Sequence, residues 1–254
     1  MELEQIRAEL YHLKNSQLAE NYKKYLKSPY TFYGLRVPEI RKIAKKYKDL
    51  KISEAYKLFD SLWNSGNHEE MCMALFIMQN YKKQFNQEIW RFLMDEKRLE
   101  KLKTWDHVDA LCSGILGYIL LENSHLQSEL KQLSVSKNPW LRRVSIVSQL
   151  PLIKKGKIQF TFLLAEKLVY DEDIYVQKAT GWMIREAGKK NPQQAEQFIL
   201  INKNMKAFAL SYATEKMPTL KKRIKEMKIQ DKSGIFSNDS KKNSELDKIK
   251  YFRN

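Results

Sequence analysis

Glycine and proline are scarce in this chain, at 8 and 6 of 254 residues. So few chain breakers exclude a turn-rich all-β architecture and leave room for long helices. Cysteine is scarcer still. Cys72 and Cys112 both fall in apolar stretches without ligand-like spacing, which excludes a disulfide scaffold. Both read as reduced, buried residues of a cytosolic protein. The four histidines (His12, His68, His107 and His125) are scattered, so neither a metal nor a cofactor is expected. No apolar run approaches membrane-spanning length, and the acidic, amphipathic opening MELEQIRAEL is not a signal peptide. The expected setting is the cytoplasm, with no membrane partner.

Positive charge, by contrast, is in excess. The formal net charge is +16. The stretch from Asp231 to Asn254 holds six basic and four acidic residues, so the body keeps about +14. A folded body this basic meets a polyanion, most commonly nucleic acid. The alternative is a lysine-rich surface that is merely solvated.

Apolar residues recur at helical spacing nearly throughout. Met71, Leu75 and Met78 form one stripe; Val108, Leu111, Ile115 and Ile119 form another. No strand or hairpin signal interrupts them, and the chain reads as about a dozen helices. A weak repeat runs through it. Trp105, Trp140 and Tyr175 are 35 residues apart, Leu210 falls one period later, and each opens a helix after a polar loop. This period predicts an all-α fold, an α-solenoid of HEAT-like repeats with a concave basic face. Residues 1–228 read as one such domain, and 229–254 as a flexible Lys-rich tail.

The segment SPYTFYGLRVPEIRKIAKK differs from the rest. Aromatics run into Gly34, and Pro38 then opens a basic helix containing Arg41, just after Arg36. Such a helix start could accept a phosphate through its backbone N–H groups. It could equally be an ordered loop that caps the solenoid.

Three clusters carry candidate chemistry. In KTWDHVDALC, Trp105 and Asp109 sit at i and i+4 on one side of a helix, with Thr104 as its N-cap. An acid on an apolar face of a basic protein is either paired with a nearby base or kept for a positive charge that the protein does not supply. In NPWLRRVS, Arg142 and Arg143 follow Trp140. In YVQKATGWMIREAG, Lys178, Trp182 and Arg185 lie at i, i+4 and i+7. Any one of these aromatics could be solenoid packing. Aromatics among cations on successive repeats also suit a nucleic-acid surface.

The stretches TFYGLRVPEIR, TWDHVD, NPWLRRVSIVSQL and IYVQKATGWMIRE, in this order between about Tyr30 and Met217, resemble the AlkD-type DNA alkylation repair enzymes. These are DNA glycosylases built from HEAT-like repeats. The chain departs from them at Thr104, where the family often has a second aromatic. The resemblance implies that Asp109, Trp105 and Trp182 are catalytic. It implies that Arg143 and Arg185 hold the DNA near the lesion. Lys178, Arg142, Arg36 and Arg41, read from the basic clusters themselves, are expected as further DNA contacts. The resemblance also implies a monomer acting on double-stranded DNA with alkylated bases, at the nucleoid when bound, and releasing cationic purines such as 3-methyladenine and 7-methylguanine. Two other classes remain at this stage: a non-catalytic DNA-binding module, and a protein-binding helical scaffold.

Overall fold

The structure, a computed structural model, describes residues 2–233. Most of the expected tail, from residue 234 onward, lies outside the described residues. Ile229 itself belongs to a helix, Pro218–Ser233. The described residues form seventeen α-helices and no strand; one isolated parallel bridge joins Thr31 to Asn67. The chain divides into two units at Ala213 and Thr214. The first holds sixteen of the helices and is an α-solenoid of stacked helical layers. The second contributes Pro218–Ser233.

The repeat period is visible in the bonds between layers. Trp63 Nε1 donates to the Arg98 carbonyl, and Arg98 donates to the Asp60 carboxylate. Asn80 donates to the Ala44 carbonyl, Trp90 Nε1 to Glu129, Arg143 to Asp109, and Lys206 to Glu172. Each pair is 34 to 39 residues apart in sequence. A solenoid requires this, because each repeat buries its apolar side only against its neighbours.

Helix starts are written locally. Asn67, Asn86, Asn138, Asp173 and Asn191 each accept backbone N–H bonds as N-caps, and Pro139 and Pro192 occupy the first helical positions. The 35-residue register follows from these starts. Trp105 opens its helix, and Trp140 and Tyr175 take the second position of theirs. Leu210 lies one turn inside Ala207–Ala213. Trp140 and Tyr175 then pack on each other with ring centroids 5.2 Å apart, so these two aromatics serve as packing between repeats.

The His68–Gln79 helix is buried on every side from His68 to Met78. The expected stripe Met71, Leu75, Met78 is there, but the whole helix is interior, and two acids and a histidine go inside with it. Glu69 explains how. Its carboxylate accepts N–H bonds from Tyr33, Gly34 and Leu35 at 2.8 to 3.2 Å. Glu70 accepts from the Tyr33 hydroxyl and from Arg7. Burial, the Glu70 hydrogen bond and nearby charges push the Tyr33 phenol up to about 12. A buried carboxylate is tolerated when its oxygens are saturated this way. The N–H groups of Tyr33, Gly34 and Leu35 are therefore spent on Glu69, while at the helix start Glu39 and Ile40 N–H bond the Arg36 carbonyl. Gly34 has φ +87°. A Cβ there would sit 2.1 Å from the Asn15 carbonyl oxygen and 2.6 Å from the Ala19 nitrogen, so only glycine fits.

Candidate active site

Three neighbouring helices build the site: Trp105–Leu111, Pro139–Val147 and Ile174–Gly188. Val108, Leu111, Ile115 and Ile119 are all buried, as their periodicity predicts, and this turns Trp105 and Asp109 to the partly open side. The helix passes into a π-helical segment, Cys112–Leu116. Such segments leave carbonyls without their usual helical donors. Here Ser113 Oγ donates to the Asp109 carbonyl and Gln79 Nε2 donates to the Ala110 carbonyl at 2.9 Å.

Asp109 has its base. Arg143 Nε and a terminal N–H group donate to its two oxygens at 3.0 and 2.9 Å, a bidentate fork. Arg143 also donates to the Tyr175 carbonyl, so one guanidinium clamps all three helices. The pair is asymmetric: the Arg143 side chain is 6% exposed and that of Asp109 is 20%. Asp109 is therefore the more accessible member of the pair and Arg143 the more buried one. Burial pushes the Asp109 carboxyl up from its ordinary value, the Arg143 charge and hydrogen bonds pull it down, and burial prevails.

Trp105 is half-buried, and Tyr25, 69% exposed, meets it edge-on with centroids 6.1 Å apart. Sequence reasoning missed Tyr25, which lies in an exposed, lysine-rich helical stretch whose aromatics have no strict period. Lys178, Trp182 and Arg185 are each half-buried on one side of the Ile174–Gly188 helix, whose other side buries Val176, Ala179, Met183 and Ala187. The Lys178 amine stands over the Phe208 ring at 5.1 Å, and Arg185 Nε lies 3.6 Å from Glu186.

The remaining predicted cations are placed differently. Arg142 points away from its neighbour Arg143. It forks onto Asp171 and donates to the Ser136 and Lys137 carbonyls, which ties the start of its own helix to the next repeat. Arg41 stacks over Phe76 at 3.8 Å and donates to Gln79, the residue that also holds the Ala110 carbonyl. Arg36 is exposed at the head of Val37–Ala44, with its backbone N–H bonded to Glu39. The structure thus brings Asp109 and Arg143 into contact and sets Trp105 and Trp182 on the two helices that flank Arg143.

The histidines that look scattered in sequence come together. His68 and His107 stack at 4.1 Å, and Phe32 stacks on the His68 ring at 4.5 Å. His68 Nε2 is 2.9 Å from Asp106, and Thr104 Oγ1 is 3.0 Å from His107 Nδ1. Thr104 does hold the N-cap position, but its hydroxyl serves His107 rather than a backbone N–H. Burial opposes ionisation of Asp106, yet the His68 hydrogen bond and the two imidazoles hold its carboxyl well below the usual range. Burial, with His68 alongside, lowers His107 to about 4, so it is neutral near pH 7.

This stack of helical layers has solved counterparts. One is a predicted DNA alkylation repair enzyme from Enterococcus faecalis, with 20% sequence identity and a TM-score of 0.68 over 80% of this chain and 96% of that one. Another is smu.31 from Streptococcus mutans UA159, with 19% identity and a TM-score of 0.52 over 78% and 95%. At such identities the likeness establishes the fold. The class is settled by sequence: residues 6–217 match the family described as DNA alkylation repair enzyme. The chain belongs to that family, which assigns it to DNA alkylation repair. No protein of curated function matches the sequence. Among the described residues no helix is long and apolar enough to cross a membrane.

Proposed function

We propose that this protein is a monofunctional DNA glycosylase that releases cationic N-alkylated purines, 3-methyladenine and 7-methylguanine, from double-stranded DNA. The observation that carries the proposal is the Asp109–Arg143 pair itself: a carboxylate held by a bidentate fork yet still partly accessible, on the same helix as the half-buried Trp105. Its accessible part supplies negative potential where a sugar would rest.

The chemistry follows from the substrate. A purine alkylated at N3 or N7 is cationic and already a good leaving group. As its glycosidic bond breaks, positive charge moves to the deoxyribose. Asp109 stabilises that oxocarbenium-like charge and orients the attacking water while staying ionised. Arg143 holds the carboxylate at a fixed angle. Trp105 and Trp182 hold the cationic nucleotide by cation–π and CH–π contact. No general acid is needed for a cationic base, so neutral lesions are poor substrates. Among the described residues the side-chain partner shown for Asp109 is Arg143 and not a lysine, so the proposed reaction ends at base release without strand cleavage. Lys178, Arg185, Arg36 and Arg41 meet phosphates.

The Asp109–Arg143 fork also favours a second reading, a DNA-binding module in which Asp109 only ties one repeat to the next. The test is a matched pair of duplexes, one bearing 7-methylguanine and one the neutral lesion hypoxanthine. The glycosylase releases the first base and leaves the second, whereas a silent binder retains affinity for both and releases neither.

A further inference from the structure

We propose that the buried cluster His68, Cys72 and His107 is a binding site for a zinc-like divalent transition metal. The site would join the His68–Gln79 helix to the Trp105–Leu111 helix. One potential ligand atom from each residue lies within 4.8 Å of the other two, and all three residues are buried. His68 and Cys72 are four residues apart on one helix, which puts both on the same side one turn apart. His107 arrives from the next layer.

The hydrogen bonds fix which nitrogens are available. His107 Nε2 lies 3.1 Å from the His68 carbonyl oxygen, which can only accept, so Nε2 carries the proton and Nδ1 keeps its lone pair. His68 Nε2 faces the Asp106 carboxylate, so there too the proton sits on Nε2 and the lone pair on Nδ1. His68 is 5% exposed, and its Nδ1 is a buried polar atom with no hydrogen-bond partner. A native interior seldom leaves such an atom unmatched without a reason. The His107 Nδ1 atom now accepts from Thr104 Oγ1, a bond that an ion at that nitrogen replaces.

The surroundings are those of a metal site. A ligating imidazole characteristically donates its second N–H to a carboxylate or a backbone carbonyl; His68 does the first and His107 the second. Two imidazoles and one thiol suit a borderline-soft ion, above all zinc, and do not suit calcium or magnesium. The rings are stacked with planes 26° from parallel, so both must turn out of the stack about χ2 for their lone pairs to meet at one ion. Coordination by Cys72 expels its thiol proton to solvent, one per ion. Because the three residues are buried, the ion would be a structural staple beneath Trp105 and Asp109 rather than a reagent. The proposal does not depend on the glycosylase reading.

The full-length protein, stripped with a chelator, is titrated with cobalt(II) alone and followed by absorption. One ion per chain should bind, with the charge-transfer band of a cobalt–thiolate bond. Cys72→Ser should abolish the charge-transfer band, and Cys112→Ser, which alters the other buried thiol, should leave it intact. Zinc should displace the cobalt and raise the melting temperature of the wild type but not of Cys72→Ser. His107→Gln should weaken cobalt binding at least tenfold. The absence of a charge-transfer band in a folded wild type, its survival in Cys72→Ser, or a melting temperature indifferent to zinc would each overturn the proposal.

Discussion

Replacing Asp109 with asparagine keeps the shape of the side chain and removes its charge. Two effects set the stability cost. Breaking a buried ion pair by neutralising one partner typically costs about 3–5 kcal/mol. Here the burial of Asp109 outweighs the pull of Arg143 on its carboxyl, so the ionised pair does not fully offset its own desolvation and its loss costs less than that range. The asparagine oxygen can still accept one of the two Arg143 bonds. What remains is the loss of one charge-assisted hydrogen bond, about 1.5–3 kcal/mol. The variant should therefore fold.

The catalytic cost is larger. One well-placed electrostatic group is worth about 10²–10³ in rate. Arg143 already offsets part of the Asp109 charge, and cationic purines depart readily by themselves. The expected loss in single-turnover release of 7-methylguanine is about 10- to 100-fold. DNA affinity should hold or improve, because an anion has left a surface that meets phosphates. Release, affinity and melting temperature are to be measured together, at a temperature where both proteins are folded. Unchanged release by a variant that has lost several kcal/mol of stability would make Asp109 a structural acid and refute the reasoning.

Other outcomes follow from the same geometry. Lys178→Gln and Arg185→Gln should each reduce the slope of log affinity against log salt by about one, while Arg142→Gln, whose guanidinium is committed to Asp171, should lower the melting temperature and leave the slope unchanged. Gly34→Ala should cost about 3 kcal/mol or more, since a positive φ and a backbone clash at 2.1 Å act together; chemical denaturation measures it, and a near-neutral result would mean that the loop does not hold its observed form. Glu69→Gln removes the charge that organises three loop N–H groups and should cost about 2–3 kcal/mol. Amide exchange at Tyr33, Gly34 and Leu35 should accelerate in that variant.

Much of the fold is legible in the sequence because a solenoid is written locally. Helix periodicity, Asn and Asp caps and a 35-residue spacing each depend on neighbours a few residues away, and the stripe from Val108 to Ile119 is buried as its spacing predicts. What could not be read depends on contacts between layers. The sequence raised the question of a base for Asp109 but could not choose Arg143 over Arg142, because adjacent residues on a helix point about 100° apart and only the stacking decides which meets the acid. Glu69 and Glu70 precede an apolar run and would pass for a solvated first turn. Their burial follows from the loop at Tyr33–Leu35, some 35 residues earlier. His68 and His107 looked unrelated because a spacing within the interlayer range does not by itself show which residues meet, and the π-helical segment after Leu111 has no periodic signature of its own.

The most direct test of the central claim is the incubation of the purified protein with a duplex containing a single 7-methylguanine, followed by separation of free base from DNA. The account predicts release of free 7-methylguanine, leaving an intact strand with an abasic site. It also predicts no release from the undamaged duplex and at least a tenfold loss in Asp109→Asn. Tight binding of that duplex without release of the base, in wild type and variant alike, would contradict it.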